Sequence, residues 1–184
     1  MTRLSPITRD QVSEQHRGAY DEVAAVPGGI GSGPTSILKN SPEAAKRAMH
    51  LSDYLRKESS LSKKVQELAM LTAARAMDCQ YIWNAHAASG RREGLGDGLV
   101  DALRDNRPLP GLAADEAAVI NLGQEFFKTH KISQETFQAA LDQFGRQGFA
   151  ELTTLMGYYA MLSFNANAVE LDLPNERVEA VLPI

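Results

Sequence analysis

The sequence predicts an all-α protein. Three observations carry that prediction. Apolar residues recur at spacings of three and four almost throughout the chain. Several of these runs open on a helix start: Ser41-Pro42-Glu43, Ser62 and Ser133. No run alternates with period two for long enough to predict a strand. The 184 residues contain no repeat and no long linker. The expectation is therefore one domain over residues 1–184, with a core from about 41 to 174 and an N-terminal helical arm over 1–33.

The elements follow in order. Val12, His16, Ala19 and Val23 line one face of a first helix, with Thr8 as its cap. The run "PGGIGSGP", Pro27 to Pro34, reads as a connector, because no strand precedes it and no Gly-Lys-Ser/Thr follows. After Ser41, the residues Ala44, Ala48, Leu51 and Leu55 form an apolar stripe. Ser62 caps the next helix, whose body "ELAMLTAARAM" holds only Glu67 and Arg75 as charges, so it is predicted to be buried on most sides. The helix over "DCQYIWNAH" follows and ends near Gly94. Asp97 caps a short helix through Arg104, and "DNRPLPG" is a loop. Asp115 and Glu116 open a helix with Val119, Leu122 and Phe126 inward and Lys128 near its end. Ser133 caps a helix with Phe137, Leu141 and Phe144 on one face, and Gly145 closes it. A long uncharged helix comes last, and "LDLPNERVEAVLPI" is a tail.

Charge and composition exclude some functions. The net charge of −4 and the lack of a basic stripe argue against nucleic acid as partner. The start, "MTRLSPITRDQ", lacks an apolar h-region, which predicts no secretory signal and a cytoplasmic location. Leu152 to Val169 carries no charge but has too many hydroxyls and amides for lipid. It is expected to be buried in the protein and at a subunit contact, not in a membrane. A single cysteine makes no intrachain disulfide and no Cys-rich zinc site, and no metal site or dinucleotide fingerprint is evident.

The candidate chemistry gathers in one place. On a helix, Cys79, Ile82, Trp83 and His86 share a face over two turns. Glu67 lies on the preceding helix, twelve residues before Cys79. Two such helices packed side by side let Glu67 approach His86. A carboxylate against an imidazole favours its protonated form and fixes its tautomer, which suits acid–base work. A polarised His86 could also activate the Cys79 thiol. The plain alternative is that Cys79, Trp83 and His86 simply pack a core.

Glu67 followed by Cys79-x-Tyr81-x-Trp83-x-x-His86 resembles the carboxymuconolactone decarboxylase family, which includes the alkyl hydroperoxidase D-like proteins. The resemblance runs from Ser41 to Pro174, is sharpest from Lys64 to Gly96, and includes the closing helix. It implies the alkyl hydroperoxidase D-like helical fold and a homo-oligomer, a trimer or a hexamer, with no cofactor. In the hydroperoxidase branch a glutamate, a Cys-x-x-Cys pair and a histidine relay protons. Glu67, Cys79 and His86 match three of these, and Tyr81 stands where that branch can carry another histidine. Ile82 stands in place of the second cysteine, so one thiol cannot close that branch's disulfide.

The decarboxylase branch implies loss of CO₂ from a carboxylated unsaturated lactone, followed by protonation of the dienolate. His86 would be the acid–base and Glu67 its orienter. Arg75 is the expected cation for a substrate carboxylate, with an ion pair to an acidic neighbour as the alternative. Tyr81 and Trp83 are candidates for substrate contact. Three functions follow: a cofactor-free carboxy-lyase acting on a small molecule, a single-cysteine thiol peroxidase, and a non-catalytic oligomeric binding protein.

Overall fold

The computed structural model describes residues 2–26 and 33–184, so most of the "PGGIGSGP" connector lies outside the described residues. Among the described residues there are eight α-helices and no strands: α1 (Arg17–Ala25), α2 (Pro34–Leu38), α3 (Pro42–Asp53), α4 (Lys63–Ala76), α5 (Gln80–Arg92), α6 (Asp97–Arg104), α7 (Ala114–Thr129) and α8 (Gln134–Ala168). No helix among them is long and apolar enough to cross a membrane.

Helix α4 is the axis of the fold. Every residue from Val65 to Ala74 is buried, because α5, α7 and α8 pack around it. Its N-terminus is capped by the Ser62 hydroxyl, which accepts from the Val65 N–H. A short link, Met77 to Cys79, turns the chain back. Asp78 adopts a left-handed φ of 49°, and the Cys79 N–H returns to the Ala74 carbonyl at 2.8 Å. That tight reversal lays α5 alongside α4.

The last long helix breaks where the sequence places a stop. Gly145, with φ 67°, is non-helical, so α8 is two helices joined at a kink. Beyond the kink, Leu152, Leu155, Met156, Tyr159 and Leu162 face the core. The opposite face, with Thr153, Gly157, Met161 and Phe164, is exposed in the single chain, and Phe164 reaches 66%.

Several expectations are corrected. The chain from Thr8 forms two 3₁₀ turns before α1 begins at Arg17, so Thr8 caps a turn and not the helix. On α3, Ala44 and Leu51 point outward while Ala45 and Leu55 are buried. The stripe is Ala45, Ala48, Ser52, Leu55, and the helix then widens into a π turn over Tyr54–Glu58. Gly96, not Asp97, is the N-cap of α6. Phe126 is exposed beside an apolar cleft between α7 and α8. The C-terminal tail is not free. Leu182 is buried, and Gln80 and Asn84 side chains donate to the Leu182 and Glu179 carbonyls.

Candidate active site

Glu67 is the one charge on the buried length of α4, and an unpaired carboxylate there would be strongly unfavourable. Its partner comes from α5. His86 Nδ1 donates to Glu67 Oε2 at 2.8 Å, with the two side chains 11% and 5% exposed. The approach is close because Gly90 lies one turn on. A Cβ there would stand 2.8 Å from a Leu95 methyl, 3.3 Å from a Leu71 methyl and 3.7 Å from the Glu67 Cβ. Accepting from Nδ1 leaves the Nε2 atom of His86 for proton exchange.

Two further groups complete the pair's surroundings. Arg56, carried on the π turn, brings Nη2 to 3.9 Å from Glu67 Oε1. Tyr159 of α8 meets the imidazole edge-to-face, with centroids 5.0 Å apart and planes at 85°. Burial pushes the Glu67 carboxyl up, but the His86 hydrogen bond, the His86 and Arg56 charges and the Ser89 hydroxyl outweigh it. The net displacement is downward, toward the carboxylate.

Cys79 occupies a different environment. It is the N-cap of α5, in extended backbone, and is fully buried. Burial pushes its thiol up, and the nearby Ile82 and Tyr81 N–H groups and the Ser163 hydroxyl only partly offset this. Ser163 and Tyr159 are one turn apart on α8, so Cys79 and His86 lie along one α5–α8 seam with Ile82 between their positions.

The remaining candidates separate. Trp83 is inside the core, and its indole N–H has no partner among the described residues. Tyr81 is half-buried and lines a cleft of about 530 Å³ with Gln80, Asn167, Glu170 and Ile184. Its hydroxyl lies against Gly33. Arg75 pairs with Asp78 and donates to the Arg104 and Pro183 carbonyls, each at 3.1 Å. Its guanidinium thus ties α4 to α6 and the tail, the ion-pair alternative of the two readings above. The cation beside the pair is Arg56, which the sequence did not single out.

Residues 42–122, which contain Glu67, Cys79 and His86, match the model of the Carboxymuconolactone decarboxylase family. Over this segment the chain is similar to the carboxymuconolactone decarboxylase family. Solved structures show the same fold. An uncharacterized peroxidase-related protein from Ralstonia eutropha, described as an alkylhydroperoxidase AhpD core, superposes with a TM-score of 0.72 at 16% identity, covering 95% of this chain and 93% of its own. A peroxidase-related protein from Silicibacter gives 0.69 at 16% identity over 95% and 92%. A protein of unknown function from Agrobacterium tumefaciens gives 0.67 at 21% identity over 75% and 95%. No curated protein matches. Within the matched segment, the Glu67–His86 pair is the arrangement best suited to moving a proton. Among the described residues no group of three or more His, Cys, Asp or Glu is placed to hold a metal.

Proposed function

We propose that the protein is a cofactor-free acid–base enzyme of the carboxymuconolactone decarboxylase type, acting on a small carboxylated lactone. The observation that carries this reading is the buried 2.8 Å contact between Glu67 and His86. The substrate's C–carboxylate bond breaks, CO₂ leaves, and the bonding electron pair spreads into the lactone as a dienolate. His86 Nε2 then delivers a proton to carbon and recovers one from water. Glu67 stays ionised, orients the ring through Nδ1–H and balances the imidazolium charge.

The single-thiol peroxidase reading asks for a thiolate at Cys79. Complete burial and an upward-shifted thiol favour the neutral form instead. We also infer that the protein works as a homo-oligomer, a trimer or hexamer, since Met161 and Phe164 leave an apolar stripe of α8 uncovered in the single chain.

The test is CO₂ release from a γ-carboxylated unsaturated lactone by the native protein, by Cys79→Ser and by His86→Asn. The expected result is turnover that survives the cysteine change and is lost with the histidine change. Peroxide consumption that needs Cys79, with no CO₂ release, would overturn this reading.

A further inference from the structure

The outer face of α8 carries no charge over its last five turns. In a chain that is 23% charged, the 18 residues from Leu152 to Val169 would hold about four charges, and they hold none. Thr153 and Thr154 spend their hydroxyl protons inside the helix, on the Phe149 and Ala150 carbonyls. What remains along the centre of the face is apolar: Met161 is 39% exposed and Phe164 66%. Aromatic rings and methionines left bare in this way are the side chains that interface cores favour.

A hole lies beside these knobs. Phe126, Phe127 and Ile132 form one wall of a cleft of about 180 Å³, and Met156, Gly157 and Ala160 of α8 form the other. No charged residue lines it, and Phe126 is itself 45% exposed. An apolar cavity of about 150 Å³ is enough to hold a benzene ring. Gly157 keeps the cleft open. A Cβ there would meet nothing within 4 Å among the described residues, so no contact inside the described chain calls for glycine. Glycine is also unfavourable in mid-helix relative to alanine. The space it leaves suits close approach by another molecule.

We propose that this face pairs with the same face of a second copy about a two-fold axis, with Phe164 of each copy seated in the α7–α8 cleft of the other. Thr153, Gly157, Ala160 and Phe164 follow at spacings of four, three and four, so they lie along one line of the helix. With two copies of α8 antiparallel and the axis between Ala160 and Met161, Phe164 of one copy comes opposite Gly157 of the other, and the reverse. Knob and hole stand at matching distances from the axis, which an isologous contact requires. A charge near such an axis would face its own copy, and this stretch of α8 has none. The face is about 27 Å long and, with α7 alongside, roughly 20 Å wide. The pair therefore buries on the order of 1,000 Å², the size a specific contact needs. This rests on the homo-oligomer reading above and selects within it: three two-fold pairs build a hexamer, while a lone trimer has no such contact.

Sedimentation equilibrium at micromolar concentration reads the assembly, and circular dichroism confirms that each variant folds. Native protein is expected as an even-numbered assembly, a dimer or a hexamer. Gly157→Leu fills the cleft from within and should split the pairs, raising their dissociation constant at least hundredfold with helix content unchanged. Phe164→Ala removes the knob and should have an effect of the same order. Mixed together, the two variants still offer one Phe164 and one open cleft, so native mass spectrometry should show mixed pairs in excess of either variant's own. Absence of mixed pairs, or a native assembly that survives both substitutions, overturns the proposal while the homo-oligomer reading stands. A lone native trimer does the same. A monomeric native protein overturns both. The acid–base reading is decided apart from these results, by CO₂ release.

Discussion

Two buried carboxylates, Glu67 on α4 and Glu151 on α8, show how differently one chemical group can be used in the same fold. Each side chain or residue is only 5% exposed. Glu151 is saturated by neutral donors from Tyr54, Ser60 and Gln147, which overcome the upward push of burial and hold its carboxyl down at about 2. Glu67 has one strong hydrogen bond, and its donor is a ring that can itself gain and lose a proton. Burial of a charge is therefore not what sets the two apart. The partner does: fixed hydroxyls and amides make a clamp, while an imidazole is a group through which a proton can pass.

The largest expected effect tests that contrast in catalysis. His86→Asn removes the proton carrier and should lower kcat for CO₂ release by about 10²–10⁴-fold. Glu67→Gln keeps the shape but not the charge behind the ring, and should cost a large part of the same factor. Glu151→Gln should leave kcat within several-fold. Equal losses from Glu67→Gln and Glu151→Gln would erase the distinction between relay and clamp.

The next effect is on stability, and there the ranking reverses. Glu151→Ala removes the one acceptor shared by the Tyr54, Ser60 and Gln147 donors, which sit on exposed residues open to water, and should cost about 1–2 kcal/mol, read from the urea midpoint. The pH dependence has a definite sign. A carboxyl whose folded pKa is depressed contributes its full stabilisation above its unfolded value, near 4.5, and loses it as pH falls through about 2. Glu67 is displaced in the same direction. Unfolding free energy should therefore decline across that acid window, and Glu151→Gln should make the decline shallower.

What the sequence reveals depends on whether an effect is local. The caps at Ser62 and Ser133 and the break at Gly145 are local, and each stands where the pattern puts it. The Glu67–His86 approach was also legible, because a three-residue link forces α4 and α5 to lie side by side and spacing then sets the reach. The outward turn of Ala44 and Leu51 was not, since an apolar pattern one residue out of phase looks equally good and the π turn that follows leaves no sequence mark. Phe126 was misjudged because helical spacing identifies a stripe, not which neighbour covers it. Arg56 escaped for a related reason: it meets Glu67 only through the way the π turn folds over α4. Arg75 drew attention by being near in sequence, although its contacts run to α6 and the tail.

The smallest expected effect belongs to Cys79, and it sharpens the contrast from the other side. Its thiol is on the same α5–α8 seam as His86 but is sealed among apolar side chains, with Ser163 beside it. Cys79→Ser replaces a sulfur by a similar-sized hydroxyl, so the cost should be on the order of 1–2 kcal/mol in stability from burying a more polar group. CO₂ release should stay within about twofold of native. In the native protein, a disulfide reagent should modify the thiol slowly at neutral pH, with a rate that still rises above the ordinary thiol pKa of about 8.5. Fast modification near pH 6, together with loss of turnover in Cys79→Ser, would move the chemistry from the imidazole to the sulfur. The Glu67–His86 pair would then serve to activate a thiolate, not to protonate carbon.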